Sequence, residues 1–268
     1  MRHLIGALLA VLFMSGAARA DEAAAVKLIE KLGGEVTRDD KQPGKPVIEV
    51  SLAYTPATDA DLKEVKDFKQ LKTLYLSDTQ VTDVGLKELA ELKQLTKLTL
   101  GNTKVTGAGL KALKELKQLT ILHLYGTKLT DADMKELNEL KQLTALNLRG
   151  TQVTGAGVRA LKDLKQLTKL TLSETKLTDA DVKELKEFKR LTALDLSFTK
   201  VTDTGLKELK ELKQLGSLGL ASTQVTDVGL KELKELTQLT SLLLLGTKVT
   251  DAGAKELQDA LPKCKIIR

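Results

Sequence analysis

Aliphatic residues recur along this chain in one phrase: an L-x-x-L-x-L stretch, a polar turn, and then leucines three residues apart. In residues 71–94 the apolar positions are Leu71, Leu74 and Leu76, then Val81, then Leu86, Leu89 and Leu92. Alternation at Leu74 and Leu76 predicts a half-buried strand, because successive strand side chains point to opposite faces. The spacing of three at Leu86, Leu89 and Leu92 predicts a short helix with one apolar stripe. Thr82 or Asp83 precedes it as a good N-cap, since a side-chain oxygen there can accept an orphan N–H of the first turn. The phrase therefore predicts strand, turn, helix. It is spoken nine times at a period of 24 residues, in 71–94 and its seven successors up to 239–262, with a weaker first copy at 47–70. A fixed period of this length predicts a solenoid in which each unit buries its apolar side against its neighbours.

The two ends depart from the pattern, as capping units should. Residues 22–32 predict a helix closed by Gly33-Gly34, and Glu35–Arg38 is expected to pair with Val47–Leu52 as a hairpin across Pro43-Gly44. Residues 21–46 thus form an N-terminal cap, 47–260 the nine repeats, and 261–268 a last partial strand. That strand reads as shifted by one residue, which puts Cys264 in a leucine slot with a buried apolar role. Before the cap, Arg2 and His3, the apolar run Leu4–Met14 and Ala18-Arg19-Ala20 have the layout of a secretory signal peptide over 1–20. The run is too short to span a bilayer core of ~30 Å, so no membrane insertion is expected after cleavage. Localisation is expected beyond the cytoplasmic membrane: periplasmic, cell-surface or extracellular.

Charge and cysteine content narrow the class. The formal charge is +6, and removing Arg2 and Arg19 with the leader lowers it to +4. Lys and Glu lie together in KELKELKQ segments, which reads as a solvated outer face. Nucleic-acid binding needs a one-sided basic patch with stacking aromatics, so no nucleic-acid partner is expected. Cys264 is the single cysteine, so no intramolecular disulfide can form.

The string L-x-x-L-x-L-x-x-T-x-V-T-D-x-G-L resembles the leucine-rich repeat. Its V/L-T-D-x-G-L half is similar to the cysteine-containing and related bacterial classes, over 47–260. Where such repeats usually carry Asn or Cys, this chain carries Thr55, Thr79, Thr103, Thr127, Thr151, Thr175, Thr199, Thr223 and Thr247. The resemblance implies an α/β fold: a curved solenoid with a parallel sheet on its concave face and short helices on its convex face.

Two threonine series run through the copies, the second from Thr58 and Thr82 to Thr250. Both are read as satisfying turn backbone, with hydroxyls bonding the neighbouring coil. An Asp series (Asp59, Asp83, Asp131, Asp179, Asp203, Asp227, Asp251) is interrupted by Gly107 and Gly155. Asp61, Asp133 and Asp181 stand two residues later, where other copies have Gly. Acids in a helix's first turn suit the macrodipole. No metal and no cofactor are expected.

Variation concentrates in the slots expected on the concave face. Between the strand leucines stand Ser51, Tyr75, Thr99, His123, Asn147, Thr171, Asp195, Gly219 and Leu243. Two residues further lie Ala53, Ser77, Gly101, Tyr125, Arg149, Ser173, Ser197, Ala221 and Leu245, and next to those come Tyr54 through Phe198 to Gly246. Four of the six aromatics after residue 20 fall here; Phe68 and Phe188 replace helix leucines and are expected in the core. Tyr and Arg are frequent interface anchors. The expected binding surface is Tyr75, His123, Tyr125, Asn147, Arg149, Lys169, Asp195 and Phe198, with the first seven on adjacent strands at its centre. Gly219, Ala221, Ser222 and Ser241 leave part of the face plain.

No nucleophile-base order, phosphate-cradling loop or His/Cys cluster is present, so the chain is not expected to be an enzyme. Two readings remain. One is an exported, monomeric binding module for a protein, glycan or envelope polymer. The other is an architectural spacer of the cell envelope without a specific ligand.

Overall fold

The computed structural model describes residues 22–268; the proposed leader over 1–20 lies outside them. Residues 22–31 are helical and precede one sheet of 11 strands in strict chain order. The strands are β1 (Glu35–Arg38), β2 (Val47–Ser51), β3 (Thr73–Tyr75), β4 (Lys97–Thr99), β5 (Ile121–His123) and β6 (Ala145–Asn147). They continue as β7 (Lys169–Thr171), β8 (Ala193–Asp195), β9 (Ser217–Gly219), β10 (Ser241–Leu243) and β11 (Lys265–Ile267). β1 runs antiparallel to β2. Every later pair is parallel, with equivalent residues side by side: Leu74 beside Leu98, Leu98 beside Leu122. The result is a curved leucine-rich-repeat solenoid with the sheet inside the bend and short helical turns outside it.

The interior is close to uniform. Leu71, Leu74, Leu76, Val81, Leu86, Leu89 and Leu92 of one copy are all fully buried, as are their counterparts in every copy but the last, where Ala254 is half-buried and Ala260 exposed; Phe68 and Phe188 sit in the Leu92 column. The outer turns are tighter than a plain α-helix. In the copy at 71–94 one α turn, Asp83–Leu86, passes into a 3₁₀ segment, Lys87–Glu91. Leucines every three residues are the reason, because a 3₁₀ helix repeats every three residues and stacks them in one line. In the last copy the leucines are Leu257 and Leu261, four apart, and Asp251–Ala260 is α-helical throughout.

Three threonine rows hold the coils. Each turn threonine, from Thr55 to Thr247, donates its hydroxyl to the carbonyl three residues earlier, at 2.6–2.7 Å. These bonds are within a coil, not between coils as the sequence implied. A row starting at Thr96 does cross: Thr96 donates to the Lys72 carbonyl at 3.0 Å and Thr120 to that of Thr96 at 3.1 Å.

The row from Thr82 to Thr250 is joined by aspartates. Asp59 accepts the Thr82 N–H at 2.7 Å with one oxygen and its hydroxyl at 2.6 Å with the other. Asp83, Asp131, Asp179, Asp203 and Asp227 do the same for the threonine 23 residues on. Gly107 and Gly155 offer no such oxygen. There Thr130 and Thr178 are held by Asp133 and Asp181 of their own copy. A Cβ on Gly85 would stand 2.5 Å from Asp59 Oδ1, and one on Gly107 would collide with Asp133. Each of the eight joints therefore contains one Asp and one Gly, in one order or the other, because only one carboxylate fits. The acid row belongs to the joints as much as to the helix dipole.

At the C-terminus, β11 pairs with β10 at the common offset, Ser241 beside Lys265 and Leu242 beside Ile266. This corrects the one-residue shift read from the sequence. Cys264 stands at the Thr240 position, yet a turn closed by its own N–H to the Leu261 carbonyl, 2.9 Å, leaves it buried. Burial raises its thiol pKa.

Candidate functional site

The residue between the two strand leucines points onto the concave face in every copy, and sheet register sets these residues in a line. Tyr75, Thr99, His123, Asn147, Thr171, Asp195 and Gly219 are cross-strand neighbours in turn. Strands lie ~4.8 Å apart, so the line extends over roughly 30 Å.

The seven residues expected at one centre form two groups. Towards the N-terminus, Lys97 on β4 lies over the Tyr75 ring, 4.7 Å from its centroid, with Nζ 3.1 Å from the phenolic oxygen. His123 is next on the face; burial lowers its pKa first and the Lys97 charge second, which favours neutral imidazole at pH 7. The Tyr125 ring lies flat on Gly101, where a Cβ would collide with it, and its hydroxyl reaches Asp78 Oδ2 at 3.5 Å, two coils back. Burial raises the Tyr125 pKa first; the Ser77 hydroxyl opposes this and the Asp78 charge adds to it. Lys97 occupies the slot before the first strand leucine, the slot that also supplied Lys169, and nothing in the linear pattern set it apart from the chain's other lysines.

Arg149 bridges to the second group. Its guanidinium pairs with Glu174 Oε1 at 2.7 Å, which raises its pKa by hydrogen bond and charge, and the Asp195 charge adds to this. Asn147 turns its Oδ1 to the Arg149 backbone N–H, 3.0 Å, and Asp195 does the same for Ser197, 3.0 Å. Beyond them the part expected to be plain is a trough of about 380 Å³. Its floor is Ala193, Ser217, Gly219 and Ser241, with Lys169, Thr171 and Asp195 at one side and Leu243 and Ile267 at the other. Small side chains on three successive strands make a hollow, not a blank.

The slot of Tyr125 and Arg149 is only partly a surface slot. Ser77, Gly101, Ser173, Ser197 and Ala221 are buried there, and the Ser77 and Ser197 hydroxyls accept the backbone N–H of the next coil, at 3.2 and 3.1 Å. Apart from Ala53 in the first copy, only the large members reach solvent.

The next position forms a lip along the concave edge, and all nine members adopt left-handed backbone, φ +52° to +70°. Glycine is the natural occupant, yet Tyr54, Asp78, Asn102, Glu174, Phe198 and Ser222 stand there. Tyr54 is 78% exposed and Phe198 56% exposed. Nothing in the linear pattern marks the turn as left-handed, because six of its nine occupants are not glycine.

Between Asn102 and Glu174 the lip drops at Gly126 and Gly150. A notch of about 180 Å³ opens inside it, against Tyr125, Arg149 and Glu174. A hollow of about 440 Å³ opens outside it, lined by Asn102, Thr106, Gly126, Lys104 and Lys128 among others.

The family model for the Leucine rich repeat matches residues 93–153 and 141–201, and that for Leucine Rich repeats (2 copies) matches 69–114. A search of the curated proteins finds no match. Among solved structures the chain is similar to an internalin C2 (inlC2) from Listeria monocytogenes, at 26% identity and TM-score 0.61, over 79% of this chain and 84% of that one. It is similar also to an internalin (inlF) from the same organism, at 20% identity and TM-score 0.57, over 76% and 69% of the two chains.

Proposed function

We propose that this chain, which belongs to the leucine-rich repeat family, is an exported, non-catalytic recognition module that binds a protein partner through its concave face. Family membership and internalin-like neighbours support a protein-interaction module. The basic, apolar and small-residue layout of residues 1–20 supports export, and no described helix is long and apolar enough to cross a membrane.

The observation that carries the reading is the aromatic lip. A bulky side chain on left-handed backbone is strained, and Tyr54 and Phe198 project most of their surface into water. The fold gains little from them, whereas a partner gains two rigid aromatic anchors.

Crosslinking capture from the native compartment tests it, comparing the wild type with a variant carrying Tyr75→Ala, Tyr125→Ala and Arg149→Ala. Loss of a defined partner at unchanged melting temperature is expected. An unchanged partner set sinks the reading and leaves the spacer.

A further inference from the structure

We infer that the dip in the lip at Gly126 and Gly150 is a saddle over which an extended, acidic segment of a partner protein crosses from the concave face to the solenoid's flank. This inference rests on the recognition reading above and names the chemistry of the partner.

Three observations carry it. First, the inner notch and the outer hollow share Asn102 and Gly126, so one groove continues across the edge. The lip is low there because Gly126 and Gly150 carry no side chain on the shared left-handed backbone, φ +65° and +68°, and the Asn102 side chain leans into the space of a Gly126 Cβ.

Second, the lysines of the outer hollow are unpaired among the described residues, while Asp78, on the coil before, accepts from the Asn102 amide at 3.0 Å. Lys104 and Lys128 line the outer hollow, and neither has an ion-pair partner among the described residues. The acid beside Thr106 is Asp83, which spends both oxygens on the Thr106 N–H and hydroxyl, at 2.7 and 2.6 Å. Inside the edge, Glu174 is neutralised by Arg149. A segment following the groove thus meets two lysines that no described carboxylate pairs, which complements carboxylates.

Third, the dimensions suit one extended chain. The notch at about 180 Å³ admits a single side chain against the Tyr125 ring. The saddle is two coils wide, roughly 10 Å, which passes a backbone in extended form and is at the lower limit for a helix with side chains.

The test uses the chain from residue 21 onward and fluorescein-labelled ten-residue peptides carrying one Trp among Glu and Asp, with Gln-rich and Lys-rich controls. Fluorescence anisotropy is expected to show the acidic peptide binding at least about tenfold tighter than the Gln peptide, with affinity falling as salt shortens the screening length from ~10 Å at 0.1 M. K104E with K128E should weaken it on the order of tenfold or more. Gly150→Asn should also weaken it by filling the saddle. Asn tolerates left-handed backbone, and a Cβ at Gly150 meets nothing closer than 3.7 Å, so that variant is expected to fold. Equal binding of acidic and Gln peptides overturns the saddle. Binding that ignores these variants but disappears with Tyr75→Ser overturns the saddle while leaving concave recognition intact. A sulfated oligosaccharide of matched charge that binds as tightly and responds to the same variants overturns the assignment to protein. Failure of partner capture, by contrast, bears on the recognition reading itself.

Discussion

The aspartate/glycine row at the joints and the left-handed row at the concave lip both change from copy to copy, but the joint row changes only in compensated pairs. Where Asp leaves the joint at Gly107 or Gly155, another Asp arrives at Asp133 or Asp181, and the threonine between coils keeps both hydrogen bonds. Variation there closes on itself. At the lip, Glu174 is matched by Arg149 and Asp78 by Asn102 on adjoining coils, whereas Tyr54 and Phe198 end in solvent. Copy-to-copy difference is therefore two kinds of information. One is scaffold solving the same problem twice; the other is surface that the scaffold does not require.

The sharpest way to break this comparison is to put two carboxylates in one joint. In Gly107→Asp the new side chain enters the space held by Asp133. Overpacking and like charge act together there, and a loss of about 3 kcal/mol or more is expected in urea unfolding. Adding Asp133→Gly converts the joint to the common order and should recover most of the loss, a coupling of about 2 kcal/mol. No recovery would mean that the pairing is coincidence.

Removing the clasp should cost less. Asp83→Ala leaves the Thr106 N–H and hydroxyl to water at a partly open site, an expected loss of about 1–2 kcal/mol. At the last joint the Thr250 hydroxyl, and then its backbone N–H, hold the Asp227 pKa below the usual carboxylate value. A folded-state pKa below the unfolded one contributes stability above the unfolded pKa and loses it as pH falls through the folded value. Asp227→Asn should therefore flatten the stability-against-pH curve below about pH 4 and leave its slope at neutral pH unchanged.

The repeat period, the buried columns and the concave sheet were legible because each rests on a periodicity of apolar residues. Leu74, Leu76 and Leu86 announce their direction by spacing alone. The joint code was visible as letters, Gly at 107 with Asp at 133, but its meaning needed the parallel register that brings residue 83 to residue 106. On the concave face, Tyr75, His123 and Tyr125 stood out because they are rare types in variable slots. Lys97 was passed over as one more lysine in a lysine-rich chain. The trough was missed for the opposite reason: Ser217, Gly219 and Ser241 carry little chemistry singly, and only their placement on neighbouring strands makes a cavity.

The lip gives a prediction of opposite sign. Phe198→Gly and Tyr54→Gly relieve left-handed strain at side chains that bury little, so stability should hold or rise by up to about 1 kcal/mol each while partner capture weakens. A loss of stability would mean that the aromatics serve the fold, and the lip would then belong with the joints.

The smallest effect belongs to the convex ladder. Lys93–Glu115, Lys117–Glu139 and Lys189–Glu211 pair across coils at 3.5, 3.1 and 3.2 Å, each open to water. Exposed pairs contribute ~0–1 kcal/mol because solvent screens them and long side chains must be ordered. Lys117→Ala should shift the urea midpoint by the equivalent of about 0.5 kcal/mol or less, and the shift should vanish at 1 M salt, where the screening length is ~3 Å. This row supplies the baseline for the comparison. Its residues are as exposed as the lip's, yet they repeat with little change and find partners within the solenoid, whereas Tyr54 and Phe198 are exposed, strained and different from copy to copy. A Lys117→Ala effect as large as that of Asp83→Ala would erase the distinction between solvated decoration and joint, and with it the inference that unmatched variation marks a binding surface.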